Sequence, residues 1–201
     1  MNNTGIVILA AGASSRFGTP KQLIHFNGKT FLQHVIDEAK QADPSLIVVV
    51  TGANKNEVSL SIEGSAVKLV YNQDWEKGMA SGIVAGVHEI CQLDTRVEKI
   101  IITVCDQPFV SSSLFKQLDQ VQHETGKSIV ASAYANTIGT PALFTRGYFD
   151  QLLGLKGDTG AKKILKDHSE DVATVDFPKG VVDIDTREDL GKLVDEQKQE
   201  N

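Results

Sequence analysis

From one end to the other, the sequence alternates short apolar runs with stretches of helical periodicity, and this alternation constrains the fold more than any other feature. The first run, Gly5-Ile6-Val7-Ile8-Leu9, has the length and continuous apolarity of a parallel strand buried on both faces. Residues 31–42 then place Phe31, Leu32, Val35, Ile36 and Ala39 on one helical face, and Asp43-Pro44 ends that helix. Further strands are expected over 46–51, 67–71, 99–104, 128–134, 140–145, 172–176 and 181–184. Helices are expected over 57–62, from a Ser81 cap to about Cys91, from the serines 111–113 to Thr125, and over 148–153 and 159–167. A last helix follows Asp185, with Thr186 and Asp189 at capping-box spacing, and the polar residues 197–201 fray. The pattern predicts an α/β fold on a mostly parallel central sheet flanked by helices. At 201 residues it predicts one domain spanning 1–201, with no repeat and no low-complexity linker.

The first strand opens into Leu9-Ala10-Ala11-Gly12-Ala13-Ser14-Ser15-Arg16-Phe17-Gly18-Thr19-Pro20-Lys21. Small residues after a strand let backbone N–H groups approach phosphate oxygens. Arg16 can grip such oxygens with a planar fork, whereas Lys21 offers a mobile point charge. Five residues separate Gly12 from Gly18, and Thr19-Pro20 precede the lysine, so the loop is not a Walker A. The dinucleotide fingerprint Gly-x-Gly-x-x-Gly is absent too, which disfavours a dehydrogenase. A nucleoside triphosphate site is the reading that the loop supports; an ordinary βα turn with two solvated cations is the alternative.

Asp106 follows the strand-like Ile100-Ile101-Ile102-Thr103-Val104, and Gln107-Pro108 ends that strand. A carboxylate leaving a buried strand at the binding edge of a sheet needs a positive partner, and Mg²⁺ on substrate phosphates meets that need. Capping of the next helix is the other use of Asp106. Asp183 and Asp185 share one face of Val182-Asp183-Ile184-Asp185, and a second metal carboxylate is expected there, Asp185 in preference; a helix cap explains the same residue. The loop 72–82 is dense in small and polar residues, and Gly78, Met79, Ala80 and Ser81 can bring amides and a hydroxyl against a base or sugar. Trp75 reads as a packing residue.

The net charge of −6 argues against nucleic acid or an anionic membrane as partner, so an anionic substrate has to be drawn by local cations and metal. Cys91 and Cys105 lie in apolar surroundings and form neither a disulfide framework nor a zinc site. The five histidines are scattered, and no serine sits in a nucleophile elbow, so covalent catalysis is not expected. Met1-Asn2-Asn3-Thr4 lacks the character of a signal peptide and no run reaches membrane-spanning length, which predicts a cytoplasmic protein.

Leu-Ala-Ala-Gly-x-Ser-x-Arg-x-Gly-x-x-Lys resembles the signature loop of the MobA-like nucleotidyltransferases, which have a three-layer, Rossmann-like, glycosyltransferase-A-like fold. Within that family the molybdenum cofactor cytidylyltransferases are the most similar group, cousins of the molybdopterin guanylyltransferases. Cys-Asp-Gln-Pro at 105–108, Asp-Ile-Asp-Thr-x-x-Asp-Leu at 183–190 and Gly-Asp-x-Gly-Ala at 157–161 extend the resemblance. It implies that Leu9, Ala10, Ala11, Gly12, Ser14, Ser15 and Arg16 hold the triphosphate and that Lys21 stabilises charge during transfer. It implies a nucleobase and ribose segment at Gly78–Ser81, Mg²⁺ at Asp106 and Asp185, and an acceptor side with Thr140, Pro141, Asp158 and Lys162. Leu-Ala-Ala-Gly, in place of the Leu-Ala-Gly-Gly common among guanylyl enzymes, favours CTP. The implied acceptor is molybdopterin or molybdenum cofactor, the implied protein partner a molybdoenzyme or its chaperone, and the assembly a monomer or weak oligomer. A guanylyltransferase, a sugar- or alcohol-phosphate nucleotidyltransferase and a non-catalytic cofactor-delivery protein are the alternatives.

Overall fold

The computed structural model describes residues 1, 3–12, 20–26 and 28–182. β1 (Thr4–Ala10) is buried along its whole length, as its continuous apolarity requires. A turn of 3₁₀ helix (Lys21–Leu23) and a small hairpin of β2 (His25–Phe26) and β3 (Lys29–Thr30) lead to α1 (Phe31–Gln41). Thr30 and Gln33 form a capping box at its start: the Thr30 hydroxyl accepts the Gln33 N–H at 3.1 Å, and the Gln33 side chain accepts the Thr30 N–H at 3.0 Å. β4 (Leu46–Thr51), α2 (Lys55–Ser61), β5 (Lys68–Tyr71), α3 (Met79–Leu93) and β6 (Lys99–Val104) follow. Then come α4 (Ser112–Thr125), β7 (Ile129–Tyr134), β8 (Thr137–Thr145), α5 (Phe149–Leu153), α6 (Lys162–Asp167) and β9 (Val172–Asp176).

Among the described residues, seven strands make one sheet in the order β5-β4-β1-β6-β8-β7-β9. All its ladders are parallel except those that β8 makes with β6 and β7. Alternation sends Ile6, Ile8 and Ala10 of β1 to a core shared with α1, α2 and α4, and Val7 and Leu9 to one shared with α3, α5 and α6. The expected α/β fold, with a mostly parallel sheet between two helical layers, is the observed one. The chain runs from β1 outward to β4 and β5, then returns to place β6 on the other side of β1. The strand order therefore reverses between β1 and β6, where a crevice opens at the carboxyl ends of parallel strands.

Several boundaries differ from expectation for identifiable reasons. Ser81 does not cap α3: the helix starts at Met79 after Gly78 (φ +97°), and the Ser81 hydroxyl donates to Gly78 O at 2.8 Å from inside the first turn. β8 begins at Thr137 rather than Thr140, because Ala135 and Asn136, both at positive φ, close a two-residue hairpin to β7. The helix expected from 159 begins at Lys162, after Gly160 at φ +55°. A 3₁₀ turn (Pro178–Val181) reaches the first residue of the strand expected over 181–184, whose residues 183 and 184 lie outside the described residues. The expected final helix and frayed tail lie outside the described residues, as do Asp183 and Asp185. No helix among the described residues is long and apolar enough to cross a membrane.

Candidate active site

Two segments distant in sequence meet at the β1/β6 crevice. Lys21 stands in the 3₁₀ turn that follows the loop leaving β1, and Asp106 stands just beyond β6. Lys21 Nζ lies 4.0 Å from Asp106 Oδ2, with side chains only 17% and 28% exposed. A cation and a carboxylate far apart in sequence thus face each other, partly shielded, where screening by water is reduced. Arg16, Ser14, Ser15 and Asp185 lie outside the described residues.

Beneath the charged pair, the strand ends are fastened by amide side chains. Gln22 is buried, and its Nε2 donates to Ala10 O at 2.8 Å and to Gly12 O at 2.9 Å. Gln107, also buried, donates from Nε2 to Gly180 O at 3.0 Å, while Thr140 Oγ1 reaches its Oε1 at 3.4 Å. Asn72 Nδ2 donates to Ser81 Oγ at 2.8 Å and Asn72 Oδ1 accepts the Asp74 N–H, which ties the end of β5 to the first turn of α3. Trp75 is half-buried against Gly52, a packing residue as expected. None of the three amide roles is readable from sequence; a glutamine or asparagine beside a small-residue loop is the sole local hint.

A cavity of ≈ 570 Å³ opens beside the pair, and Leu9, Met79, Asp106, Thr140, Asp158 and Lys162 all line it. Its floor is apolar, with Ile83, Ile102 and Phe144 among the residues beneath that rim. The segment 78–81 and the Gly-Asp-x-Gly-Ala segment, separate in sequence, touch: Ala80 N donates to Gly157 O at 3.1 Å, and Asp158 packs against Gly78. Pro141 is buried behind Thr140, its carbonyl accepting the Ser132 hydroxyl at 2.7 Å. Ala80 is buried and Ser81 half-buried, so Met79 is the residue of 78–81 that reaches the cavity.

Among the described residues no group of three or more His, Cys, Asp or Glu side chains could enclose a metal. One carboxylate at a cavity mouth does fit Mg²⁺ or Mn²⁺, hard cations that take one or two protein carboxylates and keep sites for phosphate and water. Cys105 is buried, and burial pushes the Cys91 thiol upward, away from the thiolate that ligation or attack requires.

The model of the MobA-like NTP transferase domain matches residues 6–172. The chain belongs to this family. The matched span contains the β1 loop, Lys21, Asp106 and the whole cavity rim named above. A relative of nearly equal length, the nicotine blue oxidoreductase of Paenarthrobacter nicotinovorans, is 28% identical over 200 residues, 94% of this chain and 95% of that protein. Among solved structures, Rv0371c from Mycobacterium tuberculosis H37Rv is 27% identical, with a TM-score of 0.82 over 96% of this chain and 98% of that one. Its manganese complex is 26% identical at TM-score 0.78, with the same coverage. A nucleotidyl transferase from Methanothermobacter thermautotroptrophicus, 23% identical with a TM-score of 0.82 over the full length of both chains, shares the fold. The MobA-like assignment agrees with the resemblance carried by the sequence motifs, and the nucleotidyltransferase fold agrees with the observed sheet.

Proposed function

We propose that this MobA-like protein transfers a nucleoside monophosphate from a nucleoside triphosphate, CTP in preference, to a phosphate on molybdopterin or molybdenum cofactor. The observation that carries the reading is the Lys21–Asp106 pair at the β1/β6 strand-order reversal, 4.0 Å apart, with Asp106 lining the cavity. An acceptor phosphate oxygen attacks the α-phosphorus in line, a new P–O bond forms, and the bond to the β-phosphate oxygen breaks, releasing pyrophosphate. Such a reaction asks for positioning and charge neutralisation rather than a protein nucleophile. Lys21 stabilises charge on the α-phosphate, while Arg16 and the loop amides, with Ser14 and Ser15, hold the leaving pyrophosphate. Asp106, with Asp185, would hold a divalent metal, Mg²⁺ in preference, which when bound neutralises phosphate charge. The manganese in the Rv0371c complex supports a divalent cation in this family. The segment Gly78–Ser81, through Met79 at the cavity, receives the base and ribose, and Thr140, Asp158 and Lys162 face the acceptor. Consistent with this role, the protein works in the cytoplasm and hands its product to a molybdoenzyme or its chaperone.

One observation favours a second reading: the equal-length relative bears the name of an oxidoreductase. Nucleotidyl transfer is preferred because the chain lacks the dinucleotide fingerprint and places a lysine and a carboxylate at a phosphate-type loop. The test incubates the protein with each of the four nucleoside triphosphates, Mg²⁺ and molybdenum cofactor, and follows pyrophosphate and the dinucleotide product. CTP is expected to give cytidylylated cofactor fastest. Absence of product with any nucleotide contradicts the proposal, and oxidation of a reduced nicotinamide by the same preparation supports the second reading.

A further inference from the structure

Gln22 sits next to Lys21 in sequence, yet points away from the cavity and into the protein, 2% exposed. Its single side-chain amide donates to two carbonyls, Ala10 O and Gly12 O, at opposite ends of the exit from β1. The exit of β1 is thereby tied to the 3₁₀ turn by one side chain that stands ten to twelve residues further along the sequence. The 3₁₀ turn carrying Gln22 is itself braced: Leu23 N donates to Pro20 O at 2.9 Å, Ile24 N to Lys21 O at 3.1 Å, and the turn packs on α1 and α2. A second amide, Asn54 Nδ2, reaches Gly12 O at a longer 3.4 Å.

Carbonyl oxygens are the part of a peptide that a phosphate repels, and N–H groups the part it binds. Because a trans peptide is planar, turning a carbonyl toward Gln22 also fixes the direction of the N–H on its far side. We propose that Gln22 is a positioning residue for the triphosphate: it turns the Ala10 and Gly12 carbonyls away from the anion and holds the adjoining Lys21 at the crevice. The inference rests on the nucleotidyltransferase reading. It explains why a buried position packed between two helices carries an amide rather than a leucine, since an apolar residue there leaves a buried carbonyl without its donor.

The test compares the wild type with Gln22→Met, which keeps the side chain's length and removes the N–H donors. Calorimetric affinity for inorganic pyrophosphate, KM for CTP, KM for molybdenum cofactor and the melting temperature are measured. The expected result is a loss of pyrophosphate affinity and a rise in CTP KM of about tenfold or more, with cofactor KM unchanged within about twofold. A residue that only stabilises the fold would lower the melting temperature and the active fraction, but would leave both nucleotide-side constants of the folded protein intact; that outcome overturns the proposal. If Gln22→Met does not fold, Gln22→Asn, too short to reach both carbonyls, is compared in the same way, and wild-type constants there overturn it as well. Wild-type protein that binds neither pyrophosphate nor any nucleoside triphosphate removes the nucleotide reading itself, and the proposal with it.

Discussion

Lys21, to which the family resemblance gives the role of stabilising charge during transfer, is brought 4.0 Å from Asp106 by the fold, with its side chain 17% exposed. In the proposed reaction a partly shielded ammonium beside the α-phosphate would act in a lower dielectric than a surface lysine does. Lys21→Ala is expected to lower the turnover of pyrophosphate release by a factor of about 100 or more, with the melting temperature close to wild type. Near-normal turnover would make Lys21 an ordinary cation at the rim. At this scale Lys21 and Asp106 were legible because charge leaving an apolar strand is locally conspicuous. Gln22, Asn72 and Gln107 were not, because a neutral amide shows its use only when its partners, 12, 9 and 73 residues away, are in place. The contact of Asp158 with Gly78 was hidden for the same reason.

Among the elements, α3 links core to site. Its first turn contacts the Gly157 loop, while Gly86 in its middle lies against β1 and β4. A Cβ at Gly86 would collide with Val7 and come within 3.0 Å of Val50 Cγ2, both on fully buried, β-branched side chains with no room to turn. Gly86→Ala gains up to about 1 kcal/mol of helix propensity but overpacks at a cost of about 1–3 kcal/mol, so a net loss of stability is expected. Chemical denaturation measures it, and an unchanged or higher midpoint would show that α3 does not seat through this glycine. Strands β1, β4, β6 and β9 and helices α1 and α4 were legible from periodicity and caps; Ser111, for instance, accepts the Leu114 N–H as its place before α4 suggests. The start of α3 was not: a serine three residues after a glycine looks like a cap, and only the docking of Gly157 on Ala80 shows that the helix begins earlier. The β7–β8 turn was missed because Ala135 carries no turn signal, although it adopts φ +47°.

For the molecule as a whole, a net charge of −6 and an anionic substrate are reconciled by placement. The sheet reverses its strand order between β1 and β6, and that reversal gathers Lys21, Asp106 and a ≈ 570 Å³ cavity at a single edge. The alternation of strands and helices foretold the sheet, and the family motifs lie at the edge proposed for the chemistry. The joining of segments 78–81 and 157–161 into one rim depends on long-range packing that no local pattern encodes. The central claim is that this edge performs metal-dependent nucleotidyl transfer. Its most direct test is the rate of pyrophosphate release from CTP, with Mg²⁺ and molybdenum cofactor present, for wild type and for Asp106→Asn. The account predicts metal-dependent release by the wild type and a fall of about 100-fold or more in the variant, which keeps the wild-type circular dichroism spectrum. Release by Asp106→Asn at the wild-type rate would contradict it.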